Sequence, residues 1–323
     1  MTNIADRFTR AALDDAMRLV RAAMPPTPQQ TWPLLDARIG APLWVKHENH
    51  TPVGAFKIRG GLVYIDALSR REPACKGVIS ATRGNHGQSI AFAARRQGLA
   101  ATIVVPHGNS VEKNAAMRAL GAQLVEHGED FQEAREHAAK LARERGLHMI
   151  PSFHDDLARG VATYWMEFFA AAQPEVVFVP IGLGSGICAC AAARAYAGAR
   201  TRIVGVVSAH APAYLLSFQA GRAVEAPVTT RIADGMACRV PEPQALDIIA
   251  REVDDVVAVS DDEVEAAMRA LFADTHNVAE GAGAAPLAAA LREHGRWPGK
   301  SLGVVLSGGN VDSAVFARVL AGA

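Results

Sequence analysis

The residue best placed for covalent chemistry is Lys57, which lies between Phe56 and Ile58. It follows a turn predicted at residues 51–54 and begins a predicted helix. An amine in apolar surroundings loses hydration of its ammonium form, so its pKa falls and it becomes usable as a nucleophile or base. The alternative is a solvated lysine at a helix start, because most lysines are exposed.

A second candidate is a glycine-rich loop at residues 182–186, which consists of Gly182, Leu183, Gly184, Ser185 and Gly186. The glycines permit close backbone approach and the serine adds a hydroxyl, so the loop could bind a phosphate group. It lies between a predicted strand and a predicted helix, so that the helix N-terminus would face the anion. A dinucleotide-binding fingerprint is the competing interpretation, but the glycine spacing differs and no acid follows a strand about twenty residues on.

Two polar segments could complete a site. Residues 80–87 read Ser-Ala-Thr-Arg-Gly-Asn-His-Gly, where Thr82 and the backbone amides of its loop could bind a carboxylate. Asn85 in this segment could donate its amide to a ligand, or it could be an ordinary turn residue beside Gly84. Residues 307–310 read Ser-Gly-Gly-Asn and follow a predicted strand, so Ser307 could also be a plain turn residue.

The elements that must position these segments alternate between strand and helix. Strands are predicted at residues 43–46, 77–80, 101–105, 123–125, 175–179, 203–207, 256–259 and 302–306. Helices are predicted at residues 5–24, from 57 onward, and at 88–97, 112–120, 130–145, 161–172, 187–197, 212–220, 244–251, 261–273, 284–293 and 312–320. Ser260 and Glu263 form a predicted capping box. Such repeated units predict parallel sheets covered by helices on both faces.

The bulk composition excludes several classes of protein. The 323 residues include 33 basic and 33 acidic ones, so the formal net charge is zero and the chain lacks the basic patch of a nucleic-acid binder. No apolar run is long enough to span a membrane, and the first ten residues are polar rather than signal-like, which predicts a cytoplasmic protein. The four cysteines do not form a secreted disulfide pattern.

Together, the four segments resemble those of the fold-type II pyridoxal-phosphate enzymes, the family of serine/threonine dehydratases, serine racemase and cysteine synthase. The segments occur in the family's order and span nearly the whole chain. The resemblance implies an α/β fold of the tryptophan synthase β type, with two doubly wound domains and parallel-rich sheets. Residues 1–67 and 152–323 would form the large domain that binds pyridoxal 5'-phosphate, and residues 68–151 the small domain that carries the substrate loop.

The resemblance also implies roles for individual residues. Lys57 would be the catalytic residue that holds the cofactor covalently, with Asn85 at its phenolic oxygen and Ser307 at its pyridine nitrogen. Glu280 corresponds to an acid near the cofactor ring, although it could instead be a first-turn helix glutamate. The full cofactor-binding set is Phe56, Lys57, Asn85, Gly182, Leu183, Gly184, Ser185, Gly186, Glu280 and Ser307. The substrate-binding set is Ser80, Thr82, Arg83, Gly84 and His86, in which His86 orders the loop.

The activity implied is an ammonia-lyase that converts a β-hydroxy-α-amino acid to a 2-oxo acid and ammonia. Threonine and serine are the expected substrates, but Ala55 and Arg83 depart from the family's pattern and leave room for a bulkier 3-aryl-serine such as phenylserine. A hydroxyl at Ser307 would keep the pyridine ring nearly neutral, which suits β-elimination and disfavours transamination.

Racemisation or β-replacement on the same scaffold is the alternative activity, and Arg83 occupies the place where a racemase would carry its second acid–base residue. A non-catalytic cofactor-binding protein is the alternative from another class. The partner expected is a small amino-acid substrate, without nucleic acid or membrane, and we allow for a homodimer. The segment after Ser208 lacks the carboxylates that bind a divalent ion in racemase-like members, so no metal is expected.

Overall fold

A computed structural model describes residues 3–322 of the chain. Its strands are β1 (Gln29–Thr31), β2 (Leu43–His47), β3 (Gly77–Ala81), β4 (Ala100–Val105), β5 (Gln123–Glu126), β6 (His148–Met149), β7 (Val176–Pro180), β8 (Arg202–Ser208), β9 (Asp255–Val259) and β10 (Leu302–Leu306). Its helices are α1 (Ile4–Arg7), α2 (Arg10–Arg21), α3 (Pro33–Ile39), α4 (Lys57–Arg71), α5 (Asn85–Arg96), α6 (Val111–Ala119), α7 (Phe131–Arg145), α8 (Asp155–Ala171), α9 (Ser185–Ala197), α10 (Ala213–Ala220), α11 (Pro243–Glu252), α12 (Asp261–Thr275), α13 (Gly281–Glu293) and α14 (Ser313–Ala321). Short 3₁₀ turns occupy Glu48–His50, Asp234–Met236 and His294–Arg296.

Within residues 3–322 the strands form two sheets, ordered β1-β2-β10-β7-β8-β9 and β5-β4-β3-β6. All pairings are parallel except that of β1 with β2. The predicted α/β fold with parallel-rich sheets is confirmed. The strands of the second sheet all lie within residues 68–151, whereas α4 crosses the predicted boundary at residue 67. The domain limits stay a prediction, and their outer ends at residues 1, 2 and 323 lie outside the described residues.

The N-terminal region departs from the sequence prediction. The single helix expected at residues 5–24 is broken after α1, because Phe8 is buried and Thr9 starts a new helix by accepting a hydrogen bond from Ala12 N at 3.3 Å. Between the helix predicted at residues 5–24 and the strand predicted at 43–46, where no element was predicted, the structure has β1 and α3. Pro33 at the first turn and Gly40 at φ 75° are typical signals for a short helix, but seven residues are too few for a clear helical period.

Helix α8 begins at Asp155 rather than at the predicted residue 161, because His154 caps its first turn through Nδ1 and Asp156 N at 3.1 Å. The extra residues matter for packing. Gly160 lies against the backbone of α4, where a Cβ would be 2.1 Å from Arg59 O, and a Cβ on Gly60 would be 2.8 Å from Leu157 O. The two helices therefore meet backbone to backbone, with no side chain between them.

Behind α4 lies a group of polar side chains that we call the interior cluster: Thr27, Lys46, Glu48, Arg59 and Glu167. All are at most 7% exposed. Arg59 donates to both carboxylates, at 2.7 and 2.9 Å to Glu48 and at 3.0 Å to each oxygen of Glu167. Lys46 Nζ donates to Glu167 Oε2 at 2.7 Å. Two cations and two anions thus balance in the core, as burial of charge requires.

Strand β6 was not predicted either, but the remaining strands and helices follow the sequence prediction closely. The capping box of Ser260 and Glu263 is present at the start of α12, and the prediction is confirmed. Apolar side chains cover both faces of the larger sheet, and a separate apolar group fills the space between α4, α5 and the second sheet. No helix among residues 3–322 combines the length and the apolar character that a membrane crossing requires.

Candidate active site

The predicted site residues lie mainly at helix N-termini that face one another. Lys57 begins α4, Asn85 begins α5 and Ser185 begins α9, while Glu280 immediately precedes α13. In parallel sheets such N-termini follow the carboxyl ends of strands, where ligands bind in this class of fold. Two contacts join the elements directly: Lys57 Nζ lies 3.0 Å from Ser185 Oγ, and Asn85 Nδ2 lies 2.6 Å from Glu280 Oε1.

The Lys57 amine has apolar and neutral neighbours. It donates to the Ser185 hydroxyl at 3.0 Å and lies 5.0 Å from the centre of the Phe56 ring, and no carboxylate within residues 3–322 pairs with it. Burial lowers the pKa of Lys57 to about 8. Roughly a tenth of the amines are therefore neutral at pH 7, which makes this lysine a competent nucleophile and base.

His86 lies close enough to Lys57 to sense its charge. Burial, and then the charge of Lys57, lower the pKa of His86 to about 3, so the imidazole is neutral. Its Nε2 atom is buried without a hydrogen-bond partner among the described residues. A buried, unpaired ring nitrogen is costly, so a ligand or a water molecule is expected to meet it.

The glycine-rich loop forms a cup of backbone amides. Gly184 caps α9 with φ 96°, a conformation that glycine adopts without strain. The first hydrogen bond of α9 runs from Cys188 N to Gly184 O at 3.0 Å, so the amides of the three preceding residues have no acceptor within the helix. The Tyr214 hydroxyl braces the loop by donating to Leu183 O at 3.1 Å and accepting from Glu242 N at 3.0 Å.

The backbone of the glycine-rich loop is closely packed against neighbouring residues. A Cβ on Gly182 would lie 2.3 Å from Gly235 O, and one on Gly184 would lie 2.5 Å from the Ala245 Cβ. The Gly186 carbonyl accepts from Trp165 Nε1 of α8 at 3.1 Å. Any larger side chain in the first two positions would displace these neighbours, so the path of the loop depends on glycine there.

Ser307 joins the lysine segment through the backbone. Its carbonyl accepts from Phe56 N at 2.9 Å, and a bridge pairs Ala55 with Gly308. The Ser307 side chain is 3% exposed, and the one hydrogen bond of its hydroxyl within residues 3–322 is long, 3.5 Å, to Ala282 O. This hydroxyl is therefore free to turn toward a ligand atom at the end of β10.

The Asn85 amide is held from both sides. Its Nδ2 donates to Glu280 Oε1 at 2.6 Å, and its Oδ1 accepts from Asn310 Nδ2 at 2.9 Å. Asn310 Nδ2 also donates to Val53 O at 2.8 Å, which fixes which end of the Asn310 side chain carries the nitrogen. The orientation of Asn85 follows from these partners, and its second N–H remains available.

A second group of charges, the cleft cluster, consists of Lys113, Asp234 and Glu280. Lys113 Nζ lies 2.9 Å from Asp234 Oδ2 and 3.3 Å from Glu280 Oε2. Burial raises the pKa of Glu280, and the charge of Lys113 opposes this rise. For Lys113 burial acts downward, but the two carboxylates raise its pKa overall. The cluster has one cation for two acids, unlike the interior cluster.

The predicted substrate-binding residues differ in burial and in their distance from the site. Thr82 is buried and its Oγ1 accepts from Gly84 N at 3.0 Å, which shapes the loop before α5. Ser80 lies inside β3 without exposed surface, 3.4 Å from Ile150 O, and no described contact joins it to the site. Arg83 is exposed and has no hydrogen bond or ion pair with any described residue.

Sequence reasoning missed Lys113, Asp234 and Tyr214, and it quoted Asn310 without giving it a role. Asn310 had a signal, since it closes the Ser-Gly-Gly-Asn segment. Lys113 is a single lysine in the first turn of α6, and Asp234 stands 121 positions away, so no local pattern connects them. Tyr214 lies on α10, which contains no other polar site residue.

These residues fit pyridoxal 5'-phosphate. The cup of unpaired amides at α9 suits a phosphate dianion, and the Lys57 amine can reach an aldehyde next to it. The spare N–H of Asn85, the unpaired His86 Nε2 and the nearly free Ser307 hydroxyl offer polar contacts around a planar ring. Fold and site together define an enzyme that binds a phosphorylated aldehyde cofactor beside a lysine.

Comparison with known proteins agrees with this definition. The sequence profile of the family described as pyridoxal-phosphate dependent enzyme matches residues 20–308. The chain belongs to this family, and the predictions of the family and of its cofactor are confirmed.

Characterised relatives share much of the chain. An L-threonine ammonia-lyase of Geobacter sulfurreducens is 40% identical over 287 residues, which cover 88% of this chain and 71% of that protein. The L-threo-3-hydroxyaspartate ammonia-lyase of Saccharomyces cerevisiae is 33% identical over 310 residues, 95% of each chain. The solved structure of processed threonine deaminase isoform 2 from Solanum lycopersicum superposes with a TM-score of 0.87 at 30% identity, covering 97% of this chain and 94% of that one.

Proposed function

We propose that this protein is a pyridoxal-phosphate dependent ammonia-lyase that converts a β-hydroxy-α-amino acid, in the first place L-threonine or L-serine, to a 2-oxo acid and ammonia. One observation carries the proposal: the Lys57 amine, without an acid partner, lies 3.0 Å from a hydroxyl at the rim of an amide-lined cup. Two relatives that match most of the chain are named as ammonia-lyases, which supports the same reaction.

The cofactor supplies an electron sink that stabilises negative charge at the substrate's α carbon. The chain's own residues do the rest. Lys57 Nζ, with its lowered pKa, takes the proton from the α carbon. The Thr82 hydroxyl and those amides of its loop that are not already bonded would bind the substrate carboxylate, and the first-turn amides of α9 would hold the phosphate. Asn85 would hold the cofactor through its spare N–H.

The choice of β-elimination over other reactions of the cofactor follows from Ser307. The Ser307 hydroxyl would meet the ring nitrogen and keep its own proton, so the cofactor would supply a moderate electron sink. A moderate sink suits an α carbon whose charge is used at once to expel the β-hydroxyl, which leaves as water by taking the proton that Lys57 removed from the α carbon. The resulting unsaturated amine takes up one water molecule, which balances the one lost, and gives the 2-oxo acid and ammonia.

The test is a substrate panel with the purified protein and added cofactor. We expect 2-oxo acid and ammonia in equal amounts from L-threonine or L-serine, and include L-threo-3-hydroxyaspartate and threo-phenylserine to define the pocket. Release of neither product from any panel member, with the cofactor bound, would overturn the proposal.

Racemisation is measured in the same samples by chiral chromatography. Because the exposed Arg83 occupies the place of a second acid–base residue, we expect no build-up of the D-enantiomer. A D-amino acid that appears faster than the 2-oxo acid would favour the racemase alternative. A protein that neither binds the cofactor nor turns over any member would instead favour a non-catalytic binding role.

A further inference from the structure

Lys113 is a buried cation that the proposed chemistry leaves without a role. It is 7% exposed and lies on α6, which packs on the second sheet. Both of its acid partners, Asp234 and Glu280, belong to segments that pack with the larger sheet. One ammonium group therefore connects the two sheets at the site.

The Lys113 side chain contacts three parts of the site. A Cβ on Gly84, in the substrate loop, would lie 2.4 Å from Lys113 Cδ, so the lysine methylenes cover that loop. Asp234 begins the turn whose Gly235 carbonyl fills the space beside Gly182 of the phosphate cup. Glu280, the third contact, accepts the hydrogen bond from Asn85.

The protonation of Glu280 decides how firmly Asn85 is held. An ionised carboxylate can only accept hydrogen bonds, so it obliges the Asn85 amide to present its nitrogen. A protonated Glu280 is a weaker acceptor, and if its proton lay on Oε1 the Asn85 amide would have to turn over and give up the hydrogen bond from Asn310 to its Oδ1. The charged groups that face Glu280 are Lys113 from α6, which favours ionisation, and Asp234 from the 3₁₀ turn, which opposes it.

We propose that Lys113 is a positioning residue, which keeps Glu280 ionised and thereby holds the Asn85 amide in the orientation that the cofactor needs. Asp234 tunes this effect in the opposite direction. The inference rests on the proposed role of Asn85, but it does not depend on which amino acid the enzyme consumes.

The test is the dissociation constant of pyridoxal phosphate, measured by equilibrium dialysis from about pH 5 to pH 8. In Lys113→Met the charge is lost while the methylenes over Gly84 remain, so Glu280 should take up its proton at higher pH. We expect cofactor affinity to fall at a higher pH than in the parent protein. In Asp234→Asn the acid that opposes ionisation is gone, and the fall should move to lower pH.

Two further variants serve as controls. Lys113→Arg keeps the charge and should restore the parent curve. Lys140→Met removes an exposed lysine 3.9 Å from Glu144 on α7 and should leave the curve unchanged. Opposite shifts in the two test variants are the decisive sign, since a lysine that only stabilises the fold would not move the curves apart.

The proposal is overturned if the curves of Lys113→Met and Asp234→Asn coincide with the parent curve or shift in the same direction. Should Lys113→Met fail to fold, Asp234→Asn decides alone, because no shift or a shift to higher pH would contradict the proposal. If no substrate yields a 2-oxo acid while the curves still separate, the proposed reaction fails and the role of Lys113 stands.

Discussion

Lys57 and Arg59 lie two positions apart on the same helix, yet their surroundings are opposite. The amine of Lys57 has a hydroxyl and an aromatic ring for neighbours, and burial lowers its pKa to about 8. Burial acts on Arg59 as well, but Glu48 and Glu167 pair with it and raise its pKa. The side of α4 that faces the cleft keeps a cation unpaired and reactive, whereas the interior side pairs every charge.

Lys57 is arranged for reactivity, whereas Arg59 is arranged for stability. A buried cation with two carboxylates is inert, because both its charge and its N–H groups are used. A buried cation without an acid is costly to fold around, and the cost is retained where it makes a group reactive. Variants on the two sides of α4 should therefore fail in different ways.

The largest effect is expected from Lys57→Ala, which should abolish turnover because both the base and the covalent link to the cofactor are lost. Folding should be unaffected or improved, since a buried cation without an acid partner is removed. Steady-state assays and thermal unfolding measure the two properties side by side.

Borohydride reduction of the parent protein followed by peptide mapping should find the cofactor on Lys57, and an adduct on another lysine would contradict the assignment.

On the interior side, Arg59→Met should destabilise the fold by about 3–5 kcal/mol, because the buried Glu48 loses its cation and Glu167 loses one of its partners. Chemical denaturation measures this loss. The folded fraction should bind the cofactor as the parent does. Arg70→Met, on the same helix but exposed and paired with Asp66, is the matched control and should change stability by less than about 1 kcal/mol. Equal losses of unfolding free energy in both variants would show that the interior cluster contributes no more to stability than an exposed ion pair.

In the cleft, Gly184→Val should weaken cofactor binding by roughly thirtyfold, or about 2 kcal/mol. The added Cβ would lie 2.5 Å from the Ala245 Cβ and disturb the amides of the cup. Gly198→Val is the control at the other end of α9. Gly198 also has a positive φ, 62°, but has nothing within 4 Å of a Cβ, so affinity should be retained. Full cofactor occupancy in Gly184→Val at equilibrium would count against the cup.

The smallest effect is expected for Arg83→Ala. If the guanidinium contacts the substrate, kcat/KM should fall by about tenfold, the scale of one charge-assisted hydrogen bond. The fall should be largest for a substrate with a second carboxylate. Arg95→Ala removes an exposed arginine from α5 and should leave the kinetics unchanged. Unchanged kinetics in Arg83→Ala as well would mean that this residue only faces solvent.

Local sequence patterns were sufficient for the alternation of strands and helices and for the four segments that meet at the site. Lys57, Asn85 and Ser185 each begin a helix after a strand, and parallel topology alone brings such positions together. The short elements β1, β6 and α3 were not predicted, because three, two or seven residues do not establish a period.

Contacts between distant segments could not be predicted. Lys113 meets Asp234 across 121 positions, and Arg59 meets Glu167 across 108, so neither cluster leaves a local trace. Ser80 shows the opposite limit. Its type and position within the segment suit a substrate contact, but both faces of β3 are buried, so its side chain lies in the protein interior.

The contact of Gly60 with Gly160 has a consequence for how the enzyme responds to heat. Side chains between two helices can change rotamer as temperature rises, and the helices then drift apart. Here the backbones touch, so the distance from the helix that carries Lys57 to α8 has no such freedom. Helix α8 in turn holds Gly186 of the cup through Trp165. The distance between the Lys57 amine and the glycine-rich loop should therefore stay constant as temperature rises, until the whole protein unfolds.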